Sequence, residues 1–310
     1  MSATEEDPPH RPRHAGGGPA RHRGQEPTDG FRSAFRALGV LALDGMSVAA
    51  RATDLDSGAV VLAVDDHVAL PAAGLGRVLL LAELSARMTS GDLSPLHLVD
   101  RGDGDEGGTA GLWRHLVVPS LPVTDLASLV GATGDAAATN ALLGLVGLDA
   151  VRARAESLGL RRTALLDVAR GTRGPDDAPQ LSVGSARELA SLFASLVHGE
   201  VVDEETSTRV VGWLALNTDR SMVAASFGMD APASRGGAHG MALVDCTGVD
   251  AGVRAEAGVL RGPRGAVAYA VMVHFDDAGL RARLAVRDAL GVVGLDLLEH
   301  VHRDAGSARA

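Results

Sequence analysis

The strongest hydrophobic pattern in the chain lies in residues 64–88, VDDHVALPAAGLGRVLLLAELSARM. A strand end and a proline turn lead into Val78, Leu79, Leu80, Leu81, Ala82 and Leu84, which are apolar on nearly every side of a helix. A helix apolar all round is buried, and about four turns is too short to cross a bilayer. The pattern predicts a central core helix starting near Gly74, its N-terminus opening onto a cleft.

The other elements follow from periodicity and turn chemistry. Phe31, Phe35, Leu38 and Val40 or Leu41 have helical spacing. Residues 47–55 alternate, Asp56-Ser57-Gly58 is a turn, and residues 59–64 return as a second strand, so this is a hairpin. Helices are predicted over 123–130 with Thr124 as N-cap, and over 148–158 with Gly159 at the C-cap. Another covers 182–197, capped by Ser182 or Ser185 and burying Leu189, Leu192, Phe193, Leu196 and Val197. A short helix over 219–227 precedes a strand over 241–248, its partner from Asp250, a last strand over 266–275 and a helix over 279–301. Strands separated by a helical block predict an α+β two-lobed sandwich, an antiparallel sheet flanked by helices plus an all-helical lobe. The expected division is a disordered polar tail over 1–29, one domain over 30–303, and a frayed end over 304–310. Within that domain the helical lobe takes about 70–228 and the sheet lobe about 30–69 and 229–303.

Composition narrows the function classes. The 310-residue chain is 46% apolar but only 3% aromatic, so its core is mainly Leu, Val and Ala. A net charge of −10 argues against a nucleic-acid surface. No apolar run is long enough for a membrane span, and with one cysteine, Cys246, nothing demands an oxidising compartment, so the expectation is a cytoplasmic protein. The Arg- and His-bearing tail is a candidate tether to a protein partner. All 29 basic residues are arginine. Arginine is not deprotonated in proteins, so a mechanism needing a neutral lysine amine is excluded throughout. Neither His10 and His14, which lie in the tail, nor the acidic–glycine run 101–108 forms a metal-ligand pattern, and no cofactor is expected.

Four ordered landmarks carry a resemblance. Leu70-Pro71-Ala72-Ala73-Gly74-Leu75-Gly76-Arg77 resembles the Pro-x-x-Ser-x-x-Lys nucleophile segment of class A serine β-lactamases and the wider penicillin-recognising serine hydrolases. Gly134-Asp135-Ala136 resembles the family's Ser-Asp-Asn, with Asn140 matching a later structural Asn. Trp213 to Thr218 resembles its Trp-x-x-x-Asn-x turn, and Cys246-Thr247-Gly248 its Lys-Thr-Gly. The resemblance covers about residues 31–302 and implies a β-lactamase/transpeptidase-like fold. It also implies lost chemistry. Gly74 stands where the nucleophilic Ser would be, Arg77 for the Lys, Gly134 for the proton-passing Ser, and Cys246 for the charged Lys. The loop 161–180, where the family carries a deacylating Glu, has none; Asp167 lies near that place.

Three readings remain open on these residues. The leading one is a family member that has lost acyl transfer and acts as a non-catalytic binding or regulatory protein. Gly74 would let a ligand approach the helix N-terminus, and Arg77, Thr247 and Arg254 would hold an acidic small molecule or a peptide carboxylate. In the second, Arg77 pairs with a carboxylate such as Asp135 and the cleft is filled. The third is an active hydrolase using substitute residues, with Cys246 as nucleophile and His239 nearby in sequence.

Overall fold

The computed structural model describes residues 29–102, 111–230 and 240–302. The tail, His10, His14, His239 and most of the acidic–glycine run lie outside the described residues. Helix α1 (Arg32–Leu43) leads into the hairpin β1 (Ser47–Asp54) and β2 (Val60–Val64). After β3 (Ala69–Pro71) and a 3-10 turn (Ala73–Gly76) comes the core helix α2 (Arg77–Ser90). The ribbon β4 (Leu98–Asp100) and β5 (Ser120–Pro122) precedes α3 (Val123–Thr133), α4 (Ala136–Val146) and α5 (Leu148–Ser157). Then follow β6 (Ala164–Leu165), β7 (Ser182–Ser185), α6 (Ala186–His198) and α7 (Glu204–Leu214). The chain closes with β8 (Ala242–Asp250), β9 (Val253–Gly262), β10 (Gly265–His274) and α8 (Leu280–His302). The main sheet is antiparallel in the order β2-β1-β10-β9-β8, so β8 is an edge strand.

Two apolar cores lie on the two faces of this sheet. On β10, Ala266, Ala268, Ala270 and Met272 join the core that holds α2, while Val267, Tyr269, Val271 and Val273 join the core under α1 and α8. The small residues let α6 lie close against the strand. A strand covered on both faces reads as a continuous apolar run, and β10 does. Val78 through Ala82 and Leu84 are at most 1% exposed, each worth about 1.5–3 kcal/mol of burial for the larger side chains. Helix α2 stops at Gly91, whose φ of +81° provides the left-handed cap.

Two expected caps are corrected. Helix α3 starts at Val123 directly after Pro122 and has no side-chain cap, so Thr124 lies inside it. Pro122 holds the N-cap position, and its side chain has no acceptor for the free amides of the first turn. Ser182 begins a strand rather than a helix; Ser185 caps α6 by accepting from the Glu188 N–H. The expected helix over 219–227 is a shorter 3-10 segment, Val223–Phe227.

Candidate functional site

The site is built where the turn before α2 meets the edge strand β8. Ala73 has φ +45°, a left-handed conformation that costs an L-residue about 1–3 kcal/mol. Ser182, fully buried, holds this turn by donating to the Ala73 carbonyl (2.7 Å) and accepting from the Gly76 N–H (3.2 Å). Gly248 lets β8 close against it: a Cβ there would overlap the Ala72 carbonyl oxygen and lie 3.1 Å from the Gly74 nitrogen. Proximity of the edge strand to the turn thus needs glycine at 248.

Arg77 fills the centre. A Cβ on Gly74 would collide with Arg77 Nη1 and would lie 2.7 Å from the Thr247 carbonyl oxygen. A Cβ on Gly134, which has φ +61°, would lie 2.8 Å from the same Nη1. The guanidinium therefore occupies the space that side chains at 74 and 134 would take. The Arg77 residue is partly buried, and its Nε is sealed from solvent without a hydrogen-bond partner among the described residues. Burial pushes its pKa down, against the fields of Cys246, Asp135 and Asp250.

Asp135 does not pair with it. Its Oδ2 accepts from the Leu112 and Trp113 N–H groups (2.6 and 2.8 Å), and its Oδ1 accepts from Ala138 N–H (2.9 Å). It caps α4 and ties down the segment carrying the buried Trp113. Ala136 follows as the first residue of α4 and offers no polar group. Asn140 brackets Ala169, donating to its carbonyl (2.8 Å) and accepting from its N–H (2.7 Å). Burial opposes ionisation of Asp167, but hydrogen bonds from Arg170, Val168 N–H and Arg173 outweigh it and lower the pKa. That carboxylate is held by its arginines.

On β8, Cys246 faces the α2 core and Thr247 pairs with Glu256 on the opposite face. Burial pushes the Cys246 thiol up to about 12, despite the Arg77 charge, so it stays protonated near neutral pH. Its sulfur contacts are the Gly74 and Thr247 carbonyl oxygens at 3.8 and 3.9 Å, which are acceptors and cannot act as a base. Thr247 reaches the centre through its carbonyl. Arg254 is not brought there. Its Nη1 donates to the Asp250 and Val253 carbonyls, and its guanidinium lies over the Phe275 ring, on the α8 side of the sheet. The strand's two-residue period decides this. Among the described residues no metal-binding cluster of His, Cys, Asp and Glu is present.

The sequence reading missed a buried acidic pair behind β8. Asp245 is fully buried, accepting from Asn217 Nδ2 (2.7 Å) and Arg220 Nη1 (3.1 Å). Glu256 accepts from the Val223 N–H and the Tyr269 hydroxyl (2.8 and 2.7 Å). Asp245 inside the apolar run MALVDC was the available signal. Burial raises Asp245 to about 7, and burial followed by the Asp245 charge raises Glu256 to about 8. Unfolded, both groups ionise near 4. The folded state therefore keeps protons that the unfolded chain releases, and stability falls as pH rises from about 5 through 8. In urea titrations at pH 5.5 and 8.5 we expect a loss on the order of 5 kcal/mol, cut to about half in Glu256→Gln. An undiminished loss in the variant would exclude Glu256 as its source.

An antiparallel sheet between terminal and inserted helices, with a strained turn heading a buried helix beside the edge strand, defines the class of the serine β-lactamases and penicillin-binding proteins. The model of the beta-lactamase enzyme family matches residues 31–301, and the chain belongs to that family. Solved structures share the fold. A β-lactamase from Sphaerobacter thermophilus superposes with TM-score 0.76 at 22% identity, covering 87% of this chain and 97% of that one. A β-lactamase from Xanthomonas campestris gives 0.71 at 17%, covering 86% and 97%. A PBP-A mutant in acyl-enzyme complex with penicillin-G gives 0.69 at 19%, covering 85% and 95%. No curated protein matches the chain.

Proposed function

We propose that this chain is a non-hydrolysing member of the β-lactamase family, with its catalytic centre rebuilt around Arg77 as a binding or regulatory site. One observation carries the reading: the Arg77 guanidinium stands in the space that side chains at positions 74 and 134 would occupy. Acyl transfer needs an activated nucleophile, a base and a stabilised oxyanion together. Position 74 has no side chain, and Arg77 cannot accept a proton. The buried, protonated Cys246 is no substitute, because its neighbours are carbonyls. Groups that act as a unit lose activity together, by many orders of magnitude. The turn is strained at Ala73 although position 74 carries no nucleophile, which supports a site built for recognition. In this reading the tail of residues 1–29 is a tether to a protein partner.

The test is nitrocefin turnover and labelling with a fluorescent penicillin on the full chain. Wild type and Cys246→Ala are expected to give neither turnover nor adduct. Gly74→Ser/Arg77→Lys/Gly134→Ser restores the three groups together and is expected to form a slow covalent adduct. A wild-type adduct lost in Cys246→Ala would replace this reading with a thiol hydrolase.

A further inference from the structure

Arg77 is an exception among the arginines packed into this protein. Arg51 pairs with Asp66, Arg87 and Arg154 with Glu83, Arg173 with Asp167, and Arg220 with Asp245. None of the five N–H donors of Arg77 has a partner among the described residues, and its Nε is fully buried. The acidic group of the second motif is already taken, since Asp135 accepts three backbone N–H groups. A guanidinium withdrawn from water without a hydrogen-bonded counter-charge is strongly unfavourable. Its surroundings are also stripped of competing side chains, because residues 74 and 134 are both glycine and approach the same Nη1. Nε is the guanidinium nitrogen sealed from solvent, and the residue as a whole remains partly exposed.

We infer that Arg77 binds one small carboxylate monoanion on the solvent-facing side of its guanidinium, which itself fills the space beside Gly74 and Gly134. This rests on the non-hydrolysing reading, because a nucleophilic side chain at position 74 would displace the guanidinium. A planar carboxylate matches the guanidinium fork with two parallel hydrogen bonds. A single negative charge is selected. Asp135 and Asp250 already act on Arg77 through space, so a dianion such as hydrogen phosphate would meet their repulsion as well as the arginine's attraction. The ligand completes the missing pair.

The test is thermal unfolding of the full chain in sodium acetate at constant pH, with sodium chloride matching ionic strength. Ligand that binds only the folded state raises Tm with the logarithm of its concentration once that exceeds Kd. A rise of about 3 °C at about ten times Kd is expected for a domain of this size. Chloride is expected to give none and phosphate less than acetate. Arg77→Met and Arg77→Gln, two near-isosteric variants that remove the charge, are each expected to lose the acetate response. N-acetylglycylglycine beside its C-terminal amide identifies the source. A response to acetate alone assigns a free small acid, and a response to the dipeptide acid but not its amide assigns a chain end. No concentration-dependent rise in Tm with either acid overturns the inference, as does an equal response to chloride, a larger one to phosphate, or one that survives in both variants. Nitrocefin turnover by the same wild-type sample would sink the non-hydrolysing reading instead. A silent sample without an acid response sinks this inference alone.

Discussion

Asp135→Ala is expected to lose about 4 kcal/mol of stability in urea unfolding, the largest effect of any single change at the site. The wild-type carboxylate is fully buried and accepts from the N–H groups of Leu112, Trp113 and Ala138. Alanine leaves three amides without their acceptor, and each such loss costs about 1–3 kcal/mol before relaxation. It also removes the N-cap of α4, worth about 1 kcal/mol by itself. Packing is lost as well, because Gly111, with φ +119°, lies so close that a Cβ there would meet the Asp135 carboxylate at 2.5 Å. Asp135→Asn keeps one oxygen and the shape but turns a donor toward a bound amide, so roughly half the loss is expected. A loss below 1 kcal/mol in Asp135→Ala would show that the loop and α4 are held by other contacts.

Gly74→Ser is expected to cost about 2–3 kcal/mol, and much less when Arg77 is shortened. The new Cβ would collide with Arg77 Nη1, a movable side-chain end, and would lie 2.7 Å from the Thr247 backbone oxygen, which moves only with β8. Arg77→Ala removes the first contact and leaves the second. A double-mutant cycle of Gly74→Ser with Arg77→Ala should therefore show a coupling of about 1–2 kcal/mol, within the range for residues in direct contact. Additive losses would mean that Arg77 swings away freely and that the centre is not organised around it.

The same geometry links the departures from the family pattern. Arg77 can lie where it does because residues 74 and 134 have no side chains, and a side chain at either position would displace it. Gly134 adds a backbone requirement, since its φ of +61° is left-handed and Ser there would be strained as well as crowded. Restoring one group therefore meets the other substitutions before it meets a substrate. This is why the labelling experiment changes positions 74, 77 and 134 together.

Local rules in the sequence determined the elements and their order. The all-round apolar run from Val78 to Leu84 became the buried α2, and the alternation around Asp56-Ser57-Gly58 became the β1–β2 hairpin. The absence of lysine and of a hydroxyl at position 74 was also legible there, because side-chain inventory is independent of folding. Tertiary structure alone decided which of the candidate residues meet. Residues 74, 77, 134 and 247 converge because β8 closes on the turn before α2, a contact spanning more than half the chain. Arg254 drops out because the β8–β9 register places it over Phe275, on the far face from Cys246. The strained φ at Ala73 has no sequence signature, and the Asp245–Glu256 pair emerges only when β8, β9 and the 3-10 segment Val223–Phe227 pack together. Periodicity reports which side of an element is buried; which groups lie against one another depends on how distant elements close, and here that closure leaves Arg77 Nε without a hydrogen-bond partner among the described residues.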